Sequence, residues 1–175
     1  MIMSPRLARF ALTVHVVTSV GLLGAVAVFL VLAITGLASP NAEIVRGAYI
    51  AMSLSAWLVI VPLTIAALVT GLIQSLGTTW GLFRHYWLVV KLVLTIVVTI
   101  VLLLQMKTIS YLADTATEMV LAGGDMFEAR IALAAHAGGG LLVLLLPTIL
   151  STYKPRGLTR YGRRKLLEQR PALAV

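Results

Sequence analysis

Four long apolar stretches dominate this sequence and constrain its fold more than any other feature. They cover roughly residues 10–38, 47–73, 86–106 and 129–152. Each is long enough to supply the ~20 residues that an α-helix needs to cross a ~30 Å hydrocarbon core. Because lipid cannot hydrogen-bond to exposed backbone groups, only helices or closed barrels span it. The sequence therefore predicts an all-α, polytopic membrane protein, built as an antiparallel bundle of four transmembrane helices.

The amino-acid composition agrees with a membrane protein and excludes sites that depend on cysteine. Hydrophobic residues make up 60% of the 175-residue chain and charged residues only 11%, whereas soluble domains have roughly 25% charged residues. The bundle is predicted over residues 1–155, followed by a basic cytoplasmic tail over 156–175, which leaves no room for a second folded domain. The chain has no cysteine, which excludes disulfides, thiolate ligands and iron–sulfur clusters.

Basic residues are distributed unequally between the two ends of the predicted bundle. If both termini lie on one side, that side carries eleven of the fourteen Lys and Arg residues and one of the six acidic residues. An excess of Lys and Arg in short loops marks the cytoplasmic side, so we expect an N-in, C-in orientation. The first apolar run is about twice as long as the ~7–15 residues of a signal-peptide core, so we expect it to be a retained anchor.

The connection between the third and fourth stretches, roughly residues 107–128, is acidic and is the longest predicted link. It is long enough for a short surface helix or a lid, but charge runs usually indicate a solvated segment. We therefore expect an acidic external loop here. Pro62 and Pro147 each remove a backbone donor from a predicted span, which predicts a kink in the second and fourth helices.

Small and polar residues recur at helical spacing on three of the predicted spans. Small residues let helix backbones approach closely, and polar residues avoid lipid, so these stripes are expected to face the interior of the bundle. The stripes are His15, Thr18, Gly21 and Ala25 on the first span, Lys91, Thr95 and Thr99 on the third, and Ala132, His136, Gly139, Gly140 and Val143 on the fourth.

Three segments resemble one bacterial protein family. They are residues 68–94 (LVTGLIQSLGTTWGLFRHYWLVVKLVL), the segment around His15 (ALTVHVVTSVGLLGA) and the segment around His136 (ALAAHAGGGLLVLLLPTILSTYKPRGLTRYGRR). The family comprises integral membrane proteins of unknown function, distantly similar to the membrane part of copper resistance protein D and to four-helix b-type cytochromes. The resemblance implies a location in the bacterial cytoplasmic membrane. With three histidines in all, this chain cannot hold the two bis-histidine hemes of diheme cytochromes.

His15 and His136 are the candidate cofactor or metal ligands. A neutral imidazole inside a membrane can bind heme b iron or copper, or it can bridge helices through a hydrogen bond. Both alternatives are open at each position. The helical rise places the two residues roughly 15–20 Å apart along the membrane normal, too far to share one ion. His85 lies in an aromatic cluster at the inner interface, where an interfacial belt is the ordinary explanation.

Lys91 is a further candidate functional residue, because it places a cation inside the third predicted span. Burial there costs about 2–3 kcal/mol unless the side chain reaches the head groups or finds a partner. Lys91, Arg84 and His15 are predicted at similar depth, where they suit an anionic head group, heme propionates or a quinone carbonyl. No carboxylate lies at that depth, so an anionic ligand or lipid is the more natural partner of Lys91.

Two classes of function follow from these residues. The first is a structural, lipid-binding or accessory membrane subunit, and the alternative is a heme- or copper-binding redox or metal-handling protein. The sequence contains no phosphate-binding glycine loop, HExxH motif or Ser/His/Asp set, so any enzymatic activity would be that of a membrane oxidoreductase. The basic tail is expected to bind anionic lipid of the inner leaflet rather than nucleic acid. A lone four-span bundle has little lumen, so self-association or a membrane partner subunit is expected.

Overall fold

The chain folds into long helices, as the apolar stretches predict. The computed structural model describes residues 3–77, 85–117, 124–153 and 157–169, whose regular structure is helical apart from one isolated antiparallel bridge between His85 and Leu158. Within these ranges, four segments are long and apolar enough to span a membrane: Pro5–Ala38, Ala42–Gly77, Tyr86–Ala116 and Met126–Tyr153. The helices are α1 (Pro5–Ala38), α2 (Ala42–Ser55), α3 (Val61–Gly77), α4 (Tyr86–Thr117), α5 (Gly124–Tyr153) and α6 (Arg160–Gln169).

The helices extend beyond the apolar stretches, most of all at the third connection. α4 continues to Thr117 and α5 begins at Gly124, so the predicted loop over residues 107–128 is largely helical, and the expectation of an acidic loop is wrong there. The reason is that Ile109, Leu112 and Ala116 recur at helical spacing and are buried on a face that packs against α2. Residues 118–123 lie outside the described part of the chain.

The four spans form a ring in which neighbours in sequence are neighbours in space. α1 packs against α2, α3 and α5, and α4 packs against the same three helices. Short connections give antiparallel neighbours, so the start of α1, the end of α3, the start of α4 and the end of α5 lie together. We call this the termini end of the bundle. The opposite end holds the α1–α2 and α4–α5 connections.

The second span is not a regular α-helix. Ala56–Ile60 forms a π-helical turn between α2 and α3, and the Val61 N–H donates to the Ala56 carbonyl. Pro62 follows directly and has no backbone donor, so the predicted irregularity coincides with a local change of helix type. Pro147, by contrast, lies inside a helix that stays continuous from Gly124 to Tyr153.

The stripe predicted on the fourth span does not face the core. Leu133 and Ala137 are the buried positions on this part of α5, whereas His136 and Gly139 are exposed. Burial of Leu133 and Ala137 removes apolar surface from solvent, and a Cβ at the adjacent Gly138 would lie 3.8 Å from Leu30 of α1. The stripe is consequently rotated towards α4, where it lines a crevice rather than a helix–helix contact.

The predicted basic tail contains a further helix. α6 spans Arg160–Gln169 and follows the bridge between Leu158 and His85. The Tyr86 N–H also donates to the Gly157 carbonyl at 3.4 Å. The chain after α5 therefore folds back to the start of α4, which keeps the basic tail at the termini end.

Candidate functional site

A cavity of about 500 Å³ opens at the termini end between α1, α3 and α4. We call it the termini-end cavity. Leucines of all three helices form much of its apolar wall, and a smaller set of polar and charged side chains faces the same space. This combination of apolar walls and a few polar groups is typical of small-molecule sites. The polar and charged lining residues are Arg9, His15, Gln74, Ser75, Lys91, Thr95 and Ser151.

His15 is held in place by a short relay of hydrogen bonds to α3. Its Nδ1 lies 3.1 Å from the Thr70 hydroxyl oxygen. Thr70 donates its proton to the Ala66 carbonyl at 2.6 Å, an arrangement in which its oxygen accepts if the His15 proton is on Nδ1. In that tautomer Nε2 is a hydrogen-bond acceptor. A Cβ at Gly71 would lie 3.0 Å from His15 Cε1, so the ring packs directly on the α3 backbone.

Lys91 faces the same cavity from α4, as its predicted stripe requires. Its Nζ donates to the Ser151 hydroxyl of α5 at 2.5 Å and lies 5.9 Å from the centroid of the Trp87 ring. Both partners are uncharged, and the side chain is half-buried. An ammonium group has three donors, so Lys91 retains capacity for a ligand. The structure thus brings Lys91 and His15 together at one site, whereas Arg84 lies outside the described residues.

Arg9 is a member of this site that sequence reasoning missed. Arg9 is one of the eleven basic residues on the predicted cytoplasmic side, and it also lines the cavity with Lys91. No carboxylate is found among the described residues that line the cavity. Arg9 lies at the edge of the α1 face that lines the cavity, which also carries Leu12 and His15 at helical spacing.

His136 lies at a different place. It lines a crevice of about 390 Å³ near the middle of the spans, which we call the midspan crevice. Its Nδ1 is 2.6 Å from the Ala132 carbonyl of its own helix. His15 and His136 line separate cavities, so they do not form a common ligand set. His85, the third histidine, lies at the start of α4 with its ring centroid 6.2 Å from that of Trp87.

The described residues contain no group of three or more His, Asp or Glu side chains that could hold a metal ion. In each cavity a single imidazole is the sole residue of those types among the described lining. Heme b or copper at His15 or His136 therefore remains a prediction from the sequence.

The chain was compared with protein-family models, with curated proteins and with solved structures. None of the three gave a match. The family resemblance of the three segments accordingly stays an expectation.

Proposed function

We propose that this protein is a multi-pass protein of the bacterial cytoplasmic membrane that binds an anionic amphiphile in the termini-end cavity. The observation that carries the proposal is that Lys91 and Arg9 line one cavity whose described lining has no carboxylate. A cation at low dielectric is costly unless an opposite charge or strong hydrogen bonds compensate it. The hydroxyl of Ser151 satisfies one donor of Lys91 but leaves its charge unbalanced.

The shape of the cavity favours an amphiphile over a free anion. Leu12, Leu68, Leu72, Leu88 and Leu92 line the same cavity as the charged groups. A lipid can place its head group at Lys91 and Arg9 while an acyl chain covers these leucines. The excess of basic residues at the termini end supports an N-in, C-in orientation, which puts the cavity in the inner leaflet.

His15 supports a head group that carries a hydroxyl as well as a phosphate. In the tautomer that donates from Nδ1 to Thr70, the Nε2 of His15 accepts a hydrogen bond from the ligand. A phosphate diester with a glycerol head would supply the negative charge to Lys91 and an O–H to His15. The protein then acts as a lipid-binding or accessory subunit, and a second copy or a partner subunit would cover part of its lipid-facing surface.

The test is thermal unfolding of the protein in nanodiscs of phosphatidylcholine with and without phosphatidylglycerol. Phosphatidylglycerol should raise Tm by about 5 °C, as expected for a ligand well above its Kd. Lys91→Met should abolish this rise, and Lys91→Arg should retain part of it because the charge is kept. Lys107→Met is the matched control, since Lys107 is an exposed lysine of the same helix at the opposite end. An equal rise in wild type and Lys91→Met would refute the proposal.

The alternative function, heme or copper binding for redox chemistry or metal handling, predicts a different property of the purified protein. Heme b or copper at His15 or His136 would give gently purified protein a Soret band or bound copper. Loss of that signal in His15→Ala or His136→Ala, but not in His85→Ala, would favour the redox function over lipid binding.

A further inference from the structure

The midspan crevice is a second cavity, distinct from the lipid site proposed above. All four spans contribute to it, and it includes the region of the π-helical turn through Ile60 and Thr64. The walls are almost wholly apolar, and their lining includes valines of α4 and glycines of α5. Its volume of about 390 Å³ falls within the range of roughly 300–1,000 Å³ that is usual for small-molecule pockets. The polar side chains in its lining are Thr64, Gln105 and His136.

The hydrogen bonds around His136 and Thr64 determine what the crevice offers a ligand. A carbonyl oxygen can only accept, so the 2.6 Å contact with Ala132 requires the proton of the neutral His136 ring to be on Nδ1. Nε2, on the other edge of the ring, is then a lone-pair acceptor. Thr64 donates its proton to the Ile60 carbonyl at 2.7 Å, so its oxygen can also only accept. The crevice therefore presents two acceptors in apolar surroundings.

We propose that the midspan crevice binds an apolar ring that carries a hydroxyl donor, the chemistry of a phenol or a membrane quinol. The O–H of the ring would donate to His136 Nε2, and the flat ring would lie over Gly139 and Gly140, where the α5 backbone has no side chains. Gln105 of α4 supplies an amide that can bond to a second oxygen on the ring. A lipid acyl chain fills the same volume but has no donor for the imidazole, and an unmet acceptor in hydrocarbon is unfavourable.

The surroundings of Gly139 and Gly140 fit a surface that binds a ligand better than one that packs against a helix. A Cβ at Gly139 or Gly140 would meet no atom within 4 Å, so neither glycine is needed for close helix packing. Glycines usually lower helix stability relative to alanine, and here no packing contact offsets that cost. A ring seated against the helix backbone gives these two glycines a role.

The experiment compares two ligands with the same ring, a quinol with O–H donors and an ether in which methyl groups replace the hydroxyl protons. A tritiated short-chain quinol, kept reduced under argon, and its dimethyl ether are bound to wild-type protein in nanodiscs, with empty nanodiscs as the baseline. We expect the quinol to bind with a Kd at least about fivefold lower than the ether, the effect of one hydrogen bond. His136→Phe keeps a ring but removes Nε2, so it should raise the Kd of the quinol by a similar factor without affecting the ether.

Two control variants distinguish binding in the midspan crevice from binding in the termini-end cavity. His15→Phe alters the termini-end cavity and should leave quinol binding unchanged, while Lys91→Met should affect the phosphatidylglycerol response alone. Equal binding of quinol and ether to the wild type overturns the inference, as does an unchanged quinol Kd in His136→Phe. If His136→Phe does not fold, the comparison of the two ligands on the wild type decides the question.

Discussion

Arg130 illustrates how a single residue can join three helices without being recognisable in the sequence. Its guanidinium donates from Nε to the Tyr49 hydroxyl at 2.9 Å and from a terminal nitrogen to the Gly36 carbonyl. It also lies 5.7 Å from the centroid of the Tyr49 ring. The carbonyl of Gly36 is near the C-terminus of α1, where the helix dipole favours a cation. Because Tyr49 and Gly36 are 81 and 94 positions away from Arg130, no local pattern predicts this contact.

Replacement of Arg130 by Gln should lower the free energy of unfolding by about 2–3 kcal/mol, because hydrogen bonds to a charged group are among the stronger ones. Tyr49→Phe removes one acceptor and should cost about 1 kcal/mol. The measurement is equilibrium unfolding in detergent micelles. Lys107→Gln is the control, since its side chain is exposed, and a loss of stability equal to that of Arg130→Gln would contradict this role for Arg130.

At the scale of elements, the close approach of α1 to α2 depends on a glycine. A Cβ at Gly36 would lie 2.8 Å from Tyr49 Cζ, and Tyr49 is only 1% exposed. The ring cannot move away easily because Met52 and Leu112, both fully buried, belong to the same core. Gly24, on the same helix, has no atom within 4 Å of its Cβ position.

Gly36→Ala should therefore destabilise the protein by about 1–3 kcal/mol, the usual cost of overpacking a core. Gly24→Ala should be neutral or slightly stabilising, because alanine is the better helix former and meets no obstacle. Thermal unfolding of the two variants beside the wild type distinguishes these effects. Similar Tm values for Gly36→Ala and Gly24→Ala would mean that α1 and α2 can separate at little cost.

At the scale of the whole molecule, apolar length predicted the four helical segments well, since hydrophobicity and helix length are local properties. The all-helical architecture is confirmed. The inward face of α5 was predicted wrongly, because small residues mark either a close contact or an open crevice and only the neighbouring helix decides which. The predicted depths of Lys91 and His15 placed them at one site. Ser151 reaches this site through a contact between separate helices, which no local pattern predicts, whereas Arg9 lies on the same α1 face as His15.

The orientation of the bundle is a property of the whole molecule that the distribution of basic residues predicts. The chain has no cysteine, so a single introduced cysteine is its only thiol. Exposed positions at the two ends are available at Glu43 and Glu128, and at Tyr161 and Arg163. In the proposed N-in, C-in orientation the first pair faces outward and the second pair faces the cytoplasm.

A membrane-impermeant maleimide added to intact cells should therefore label Glu43→Cys and Glu128→Cys but not Tyr161→Cys or Arg163→Cys. After the cells are opened, all four variants should be labelled, which controls for accessibility of the thiol. Labelling of Tyr161→Cys in intact cells would show that the orientation is the opposite of the proposed one. The termini-end cavity would then open to the outer leaflet, and the positive charge at that end would need a different explanation from cytoplasmic retention of Lys and Arg.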